Sequence, residues 1–191
     1  MNVVAFNGSA RPDGNTAILI KRVFSELEKE GIATEMVPLA GKNLRGCIAC
    51  YKCVENQDQR CAVTNDEVNT YIAKMLAADA IILGSPTYFA DVSANMKALI
   101  ERAGMVAIAN NGMLARKVGA SVVAVRRGGA IHVFNSLNHF FFISQMVVPG
   151  SSYWNEGIGR NIGEVENDEE GMRTMTKLGI NMAWLLKKIH G

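Results

Sequence analysis

The segment that most constrains the fold is an apolar run that leads into a polar, glycine-rich loop and then a helical pattern. Val3–Phe6 is strand-like, and residues 7–16 read Asn-Gly-Ser-Ala-Arg-Pro-Asp-Gly-Asn-Thr. Apolar residues then recur at spacings of three and four between residues 20 and 27, which predicts an amphipathic helix that ends near Gly31. A strand–loop–helix of this kind directs free backbone N–H groups and the positive end of a helix dipole at one place. The segment therefore predicts an anion site.

The composition of this loop narrows the class of anion. Its candidate ligands are Ser9, Arg11, Gly14, Asn15 and Thr16. The G-x-x-x-x-G-K-[ST] loop of nucleotide triphosphatases is not matched, because the two glycines are one residue too far apart and Asn15 stands where the lysine would be. The dinucleotide fingerprint G-x-G-x-x-G is also missing. A loop rich in donors but without a magnesium ligand suits a single phosphate monoester; the alternative is an ordinary turn before a well-capped helix.

Strand-like runs alternate with helical patterns along the rest of the chain. The runs lie at 34–39, 80–84, 118–125 and 146–148, and the helical patterns begin near 66, 91, 132 and 168. This alternation predicts one α/β domain over residues 1–191, with a doubly wound five-stranded parallel sheet and helices on both faces. In the strand order 2-1-3-4-5, ligands bind beyond the carboxyl ends of the strands. Loops 8–16, 85–90 and 126–130 would meet there.

Charge and length exclude several other classes of function. The net charge is +2, from 20 basic and 18 acidic residues. The sequence has no concentrated basic face of the kind that binds nucleic acid, so a nucleic-acid partner is not expected. No apolar run is long enough to cross a membrane, and no leader segment precedes the first strand, so we expect a cytoplasmic protein. In that compartment four cysteines are more often ligands or redox groups than disulfides.

Residues 8–16 resemble the G-S-x-R-x-x-G-N-T loop of the NADPH-dependent FMN reductase and iron–sulfur flavoprotein family, which has a flavodoxin-like fold. The resemblance covers nearly the whole chain and is sharp in 8–16, 47–61 and 85–99. It implies that loop 8–16 holds the phosphate of FMN. It also implies flavin contacts from Ser85, Pro86, Thr87, Tyr88, Phe89, Arg127, Gly128 and Gly129.

Two observations on these flavin segments leave alternatives open. Pro86 stiffens the first segment, and Tyr88 and Phe89 offer flat apolar surface, although a turn with two core aromatic residues has the same composition. In the second segment, two arginines stand where members of the family often carry small residues. They could stabilise negative charge on the flavin or attract a nicotinamide dinucleotide, or they could be solvated.

All four cysteines lie in one polar loop, at residues 40–65. They are Cys47, Cys50, Cys53 and Cys61, with the spacing C-x2-C-x2-C-x7-C. Ferredoxin-type sequences share the C-x2-C-x2-C core. The pattern resembles the compact motif of the iron–sulfur flavoproteins, which implies these four residues as ligands of a [4Fe–4S] cluster. A cluster-free loop that shapes the substrate entrance is an equal alternative.

Three functions follow from these features. The first is an FMN-dependent oxidoreductase that passes electrons from NAD(P)H to a small acceptor such as a flavin or a quinone, with no catalytic side chain assigned. The second is an iron–sulfur flavoprotein that moves single electrons between a ferredoxin-like donor and an acceptor. The third is a non-enzymatic flavodoxin-like carrier, which a pI near 8.4 and a different phosphate loop disfavour.

Two late segments suggest assembly. The helical pattern at 132–146 is apolar around much of its circumference, which favours a subunit interface over a merely buried helix. The resemblance implies a homodimer or homotetramer. The segment 149–167 has no predicted strand or helix, and we suggest that this loop, which contains Tyr153 and Trp154, reaches over a flavin; the alternative is that Trp154 simply pins the loop to the body of the protein.

Overall fold

Five parallel strands form one sheet in the order β2-β1-β3-β4-β5 in the computed structural model, which describes residues 1–191. The strands are β1 (Asn2–Asn7), β2 (Ala33–Pro38), β3 (Ala80–Pro86), β4 (Val118–Val125) and β5 (Glu156–Ile158). The helices are α1 (Asn15–Lys29), α2 (Lys52–Asn56), α3 (Val68–Ala77), α4 (Ala94–Ala109), α5 (Ala130–Ile143) and α6 (Glu169–His190), with a 3-10 turn at Glu164–Asn167. The predicted flavodoxin-like α/β fold is confirmed.

Side chains of the central strands point alternately into two apolar cores. In β1, Val4 and Phe6 enter the core beneath α3, α4 and α5, whereas Val3 and Ala5 enter the core beneath α1 and α6. Strands β3 and β4 are buried along their whole length. Parallel strands covered on both faces need near-continuous apolar sequence, which is why the runs at 80–84 and 118–125 predict them correctly.

Helices α1 and α6 pack on each other over one face of the sheet. The predicted apolar stripe of α1 is buried, and α6 begins where Asp168 accepts a hydrogen bond from the N–H of Gly171 at 3.0 Å. Gly179 lets the two helices approach closely, because a Cβ atom there would lie 2.7 Å from the carbonyl oxygen of Val23. No helix is long and apolar enough to cross a membrane.

The fifth strand is not where the sequence pattern places it. Residues 146–148 were expected to form it, but Val147 makes only an isolated bridge with Val118, at the amino end of β4. The carboxyl half of β4 instead pairs with Glu156–Ile158. The apolar run does not continue as a strand because the next backbone donor of the ladder would be residue 149, and Pro149 has no N–H.

The segment 149–167 is consequently more ordered than its composition indicates. It contains β5 and the 3-10 turn, both of which the sequence prediction missed. Gly157 sits in the middle of β5, where a Cβ atom would lie 2.7 Å from both Leu19 and Val165. A three-residue strand with a glycine at its centre carries almost no strand signal of its own.

Candidate functional site

The loop after β1 is shaped by a buried asparagine. The Asn7 side chain accepts a hydrogen bond from the N–H of Ser9 at 3.0 Å and donates one to the carbonyl oxygen of Pro12 at 3.1 Å. Gly8 passes between β3 and the start of α4, and a Cβ atom there would lie 2.8 Å from the Ser93 hydroxyl. Sequence reasoning missed Asn7, which organises the loop from beneath.

The first turn of α1 faces the resulting cavity with unused donors. The N–H groups at residues 15–17 precede the first intrahelical hydrogen bond, and the N-cap residue, Gly14, has no side chain that could accept from them. The Thr16 hydroxyl is buried and has no hydrogen-bond partner in the protein. A buried, unpaired hydroxyl beside free N–H groups and the helix dipole fits an oxyanion such as a phosphate.

Asn15 contributes to the cavity in a different way from the one its place in the motif indicates. Its amide nitrogen donates to the carbonyl oxygen of Asn161 at 2.9 Å, and its amide oxygen accepts from the N–H of Gly163 at 2.9 Å. Both polar atoms are therefore used to tie the segment after β5 to α1. This tie brings Gly159 and Arg160 to the cavity wall.

The carboxyl end of β3 forms the opposite wall. The N–H of Thr87 donates to the carbonyl oxygen of Ala124 at 2.8 Å, which joins this wall to β4, while the Thr87 hydroxyl is buried and unpaired. Ser85 is turned away from the cavity: its hydroxyl donates to the Pro86 carbonyl oxygen at 2.8 Å and accepts from the N–H of Ser93 at 3.0 Å. Ser85 thus shapes this wall without lining it.

A tight turn projects beyond this wall. Tyr88 and Asp91 exchange two backbone hydrogen bonds, and both residues between them have positive φ, 48° at Phe89 and 61° at Ala90. Phe89 is fully exposed and does not line the cavity. Gly129, with φ of 94°, passes close to Ala90 and so serves the packing of the two loops, whereas Gly128 faces open space.

The cavity that these loops enclose has a positive lining. Its wall contains eight of the predicted ligands, namely Ser9, Arg11, Gly14, Asn15, Thr16, Pro86, Thr87 and Tyr88, together with Ala124, Val125, Arg126, Gly159 and Arg160. Three arginines and no carboxylate line it. Arg127, Gly128 and Gly129 lie outside the cavity. Arg126 lines it in the position that was expected of Arg127. The two unpaired hydroxyls and the guanidinium groups fit FMN, which carries one phosphate and a polar ring edge.

The four cysteines line a second cavity. Ile48, Ala49, Tyr51, Ala62, Val63, Met105 and Val106 provide its mostly apolar wall, and Arg102 is also part of it. All four thiols are free; Cys47 and Cys50 are exposed, while Cys53 and Cys61 are half-buried. Burial raises the pKa of the Cys53 thiol, and the neighbouring Cys61 and Cys47 act in the same direction. The thiols share one cavity but are not drawn together into a metal-binding group.

Side chains from α3 and α4 hold the ends of the cysteine loop. Asn69 accepts from the N–H of Cys61 at 2.8 Å and donates to its carbonyl oxygen at 2.8 Å. Glu101 accepts from the N–H of Cys47 at 3.2 Å, and Asn110 accepts from the N–H of Gln59 at 2.9 Å. The last cysteine is therefore fixed more firmly than the first three, and the cysteine spacing gave no signal for these anchors.

The comparisons with known proteins agree with this geometry. Residues 1–160 match the family described as NADPH-dependent FMN reductase. An iron–sulfur flavoprotein from Methanocaldococcus jannaschii is 38% identical over 99% of this chain and 99% of its own length. One from Methanosarcina thermophila is 30% identical over 100% of this chain and 97% of its own length.

Solved structures support the fold at lower identity. RosB with bound 8-demethyl-8-formylriboflavin-5'-phosphate superposes with a TM-score of 0.74 at 19% identity, covering 99% of this chain and 80% of RosB. An NAD(P)H:quinone oxidoreductase from Methanothermobacter marburgensis superposes with a TM-score of 0.69 at 12% identity, covering 95% of this chain and 98% of that protein. The chain therefore belongs to the NADPH-dependent FMN reductase and iron–sulfur flavoprotein family of flavodoxin-like oxidoreductases.

Proposed function

We propose that this oxidoreductase binds FMN in the positive cavity, holds a [4Fe–4S] cluster on its four cysteines, and moves single electrons between a ferredoxin-like donor and a small acceptor. The observation that carries the proposal is that every cysteine of the chain lines one cavity. A loop that only shaped a substrate entrance would not need all four cysteines of the chain around one cavity. The identity of 38% to an iron–sulfur flavoprotein over the whole chain supports the same choice.

The residues of the positive cavity would hold FMN by its phosphate and its ring. Arg11, the Thr16 hydroxyl and the free N–H groups of the first turn of α1 would bind the phosphate. Thr87 would donate to the polar edge of the ring, and Tyr88 would offer apolar surface. Bound FMN supplies both one- and two-electron chemistry, and the protein supplies position and positive charge. No side chain of the cavity needs to act as an acid or a base.

The cysteine cavity has the donors that a cluster requires. Four thiolates are the usual protein ligands of a [4Fe–4S] cluster. Cys47 and Cys50 are exposed, Cys53 and Cys61 are half-buried, and together they would provide the four thiolates of the cluster. The apolar wall, which includes Val106, would limit access of water.

A second candidate is an NAD(P)H-dependent reductase in which bound FMN takes electrons from the nicotinamide and passes them to a flavin or a quinone. The observation that favours it is the pair Arg126 and Arg160, which are exposed at the mouth of the positive cavity and are not used by other residues as ion-pair partners. Such guanidinium groups suit the phosphates of a dinucleotide. The match to NADPH-dependent FMN reductases supports this reading.

One measurement separates the two candidates. We would purify the chain without oxygen, record its ultraviolet–visible spectrum, and assay iron and acid-labile sulfide on the same sample. If the chain holds a cluster, we expect flavin bands and about four irons per chain, the number that a cubane cluster needs. Cys50→Ser should lower the iron content and keep the flavin. Flavin without iron, combined with steady oxidation of NAD(P)H when FMN or a quinone is added, would favour the reductase instead.

A further inference from the structure

An arginine on α4 is buried beside the cysteine cavity and is not part of the FMN site. Arg102 is 1% exposed, and its Nε–H donates to the Cys61 sulfur at 3.3 Å. One terminal nitrogen pairs with the Asp66 carboxylate and donates to the carbonyl oxygen of Arg45 at 3.4 Å. The other donates to the carbonyl oxygen of Val63 at 2.7 Å. Every nitrogen of the guanidinium group thus has an acceptor.

The three nitrogens of the Arg102 guanidinium group meet different kinds of acceptor. Asp66 and the carbonyl oxygens offset the cost of burying a charge, since an unpaired guanidinium inside a protein is strongly unfavourable. The Nε–H is left to meet a sulfur atom, which is a weak acceptor when it is a neutral thiol and a strong one when it is a metal-bound thiolate. The Nε–H of Arg102 therefore points at the Cys61 sulfur, which accepts a strong hydrogen bond mainly when the sulfur is negatively charged.

We propose that Arg102 is a positioning residue for the cluster: its Nε–H orients the Cys61 sulfur and raises the reduction potential of the cluster. This inference rests on the proposed function, because it needs the cluster to be present. Hydrogen bonds to ligand sulfurs and nearby positive charge both favour the more negative redox state, which raises the potential. Asn69 fixes the Cys61 backbone at the same time, so the sulfur and the main chain of this ligand are held independently.

The rival explanation is that Arg102 only stabilises the fold through its ion pair with Asp66. Two variants separate the explanations. Asp66→Asn removes the carboxylate but leaves the Nε–H facing Cys61, whereas the double variant Asp66→Asn/Arg102→Gln removes the donor to sulfur as well. A buried ion pair that is replaced as a whole is tolerated better than one that is broken, so the double variant should fold.

The experiment measures the cluster potential by an anaerobic redox titration followed by electron paramagnetic resonance, with iron content and thermal unfolding on the same samples. We expect the potential of Asp66→Asn to equal or exceed that of the unaltered chain, because a negative charge is lost. We expect the double variant to shift to a more negative potential than either. Arg173→Gln, which removes an exposed arginine from α6, should leave the potential unchanged.

Each result bears on the proposal. Equal potentials in Asp66→Asn and the double variant would overturn it. If the double variant binds less iron than Asp66→Asn although the two unfold at the same temperature, the loss reflects the orientation of Cys61 and supports the proposal; a parallel loss of iron and thermal stability would favour the purely structural role. Absence of iron from the unaltered chain would overturn the cluster itself, which is a failure of the proposed function and is visible before any variant is made.

Discussion

Thr16 illustrates how a single buried hydroxyl marks a ligand site. Thr16 is 1% exposed, yet its hydroxyl group neither donates a hydrogen bond to a protein group nor accepts one. A buried polar group without a partner costs about 1–3 kcal/mol, so such a group calls for an explanation. Thr16 lies on the first turn of α1, which lacks a capping side chain. An anion bound at this turn would accept a hydrogen bond from the Thr16 hydroxyl, which explains why no protein group does.

We expect Thr16→Val to weaken the binding of FMN without destabilising the FMN-free chain. Valine has nearly the shape of threonine, so the FMN-free chain should be as stable as before or slightly more stable. FMN should bind roughly 10- to 100-fold more weakly, because a hydrogen bond to a charged group contributes about 1.5–3 kcal/mol. Fluorescence titration of FMN and urea unfolding of the FMN-free chain measure the two effects.

The matched control for this variant is Ser121→Ala. Ser121 also has a buried, unpaired hydroxyl, but it lies in β4 and does not line the cavity. It should leave FMN affinity unchanged. Equal affinities in Thr16→Val and the unaltered chain would place the phosphate elsewhere.

Asp66 makes stability depend on pH. Burial is the largest influence on its pKa and acts to raise it, but hydrogen bonds from Arg102 and from the N–H groups of Val68 and Arg45 together lower the pKa below its usual value. A carboxyl group with a lowered pKa in the folded state contributes stability above its unfolded pKa, about 3.9, and loses it as the pH falls through the folded pKa.

We therefore expect Asp66→Asn to destabilise the chain at pH 7 by roughly 3 kcal/mol, since it leaves a buried guanidinium without its counter-ion. The difference from the unaltered chain should begin to shrink as the pH falls below about 4, where the unfolded state takes up the proton, and should level off only below the lowered folded pKa, where neither folded protein carries the charge. Urea unfolding at a series of pH values from 7 to 3 measures it. A difference that stays constant over this range would mean that the ion pair contributes little.

Among the elements, the contact between α1 and α6 depends on a missing side chain. Gly179 and Gly104 are both interior helical glycines, so alanine at either position gains about 1 kcal/mol of helix propensity. At Gly104 a Cβ atom would make ordinary contact with Phe140 at 3.7 Å. At Gly179 it would lie 2.7 Å from a backbone oxygen of α1, which cannot move without the helix.

We expect Gly104→Ala to raise the free energy of unfolding by up to about 1 kcal/mol, and Gly179→Ala to lower it by about 1–2 kcal/mol because overpacking exceeds the propensity gain. Chemical denaturation of the two variants side by side measures the contrast. If both variants were stabilised alike, α1 and α6 would have to separate easily, and the packing argument would fail.

The sequence predicts those elements whose signal is local. Apolar runs give β1, β3 and β4, and helical spacing gives α1 and α6, because burial on both faces or along one stripe leaves a direct pattern. β5 has no such pattern, since its partner β4 and the packing of Gly157 create it. Because β5 was not predicted, Gly159 and Arg160 were not predicted as site residues either. Both lie at the carboxyl end of β5, where ligands of such sheets bind.

At the candidate sites the motif identifies the right loops but not every role within them. Asn15 carries the motif and lines the cavity, yet its amide is engaged by Asn161 and Gly163. Phe89 belongs to the right segment, but a turn with positive φ directs it into solvent. Such roles depend on contacts between residues more than 140 positions apart in sequence, or on the geometry of one turn, and spacing alone encodes neither.

For the molecule as a whole, the surface of α5 bears on assembly. Of the apolar residues in the helical pattern at 132–146, Leu137, Phe140 and Phe141 are buried within the chain, whereas Ile143 is 63% exposed and the adjacent Phe142 is 62% exposed. The homodimer or homotetramer remains a proposal, and the exposed end of α5 is the part of this helix that supports it. Two neighbouring exposed apolar side chains are a suitable centre for such a contact.

We expect Phe142→Glu/Ile143→Glu to reduce the molecular mass in solution, because like charges would face each other across a symmetric interface. Both side chains are mostly exposed, so the subunit should remain folded. Light scattering after size-exclusion chromatography measures the mass, and Ile108→Glu, at another exposed apolar position, is the control. An unchanged mass would place the interface elsewhere.

The two apolar cores contain no cysteine, and this bears on how the protein folds. Cys53 and Cys61 pack against the core beneath α3–α5 without belonging to it, and Cys47 and Cys50 are exposed. The chain can therefore fold before iron arrives, unlike small metal-dependent domains that are unfolded without their metal. Oxygen damage to the proposed cluster would then be reversible, because the chain would stay folded and could take up a new cluster.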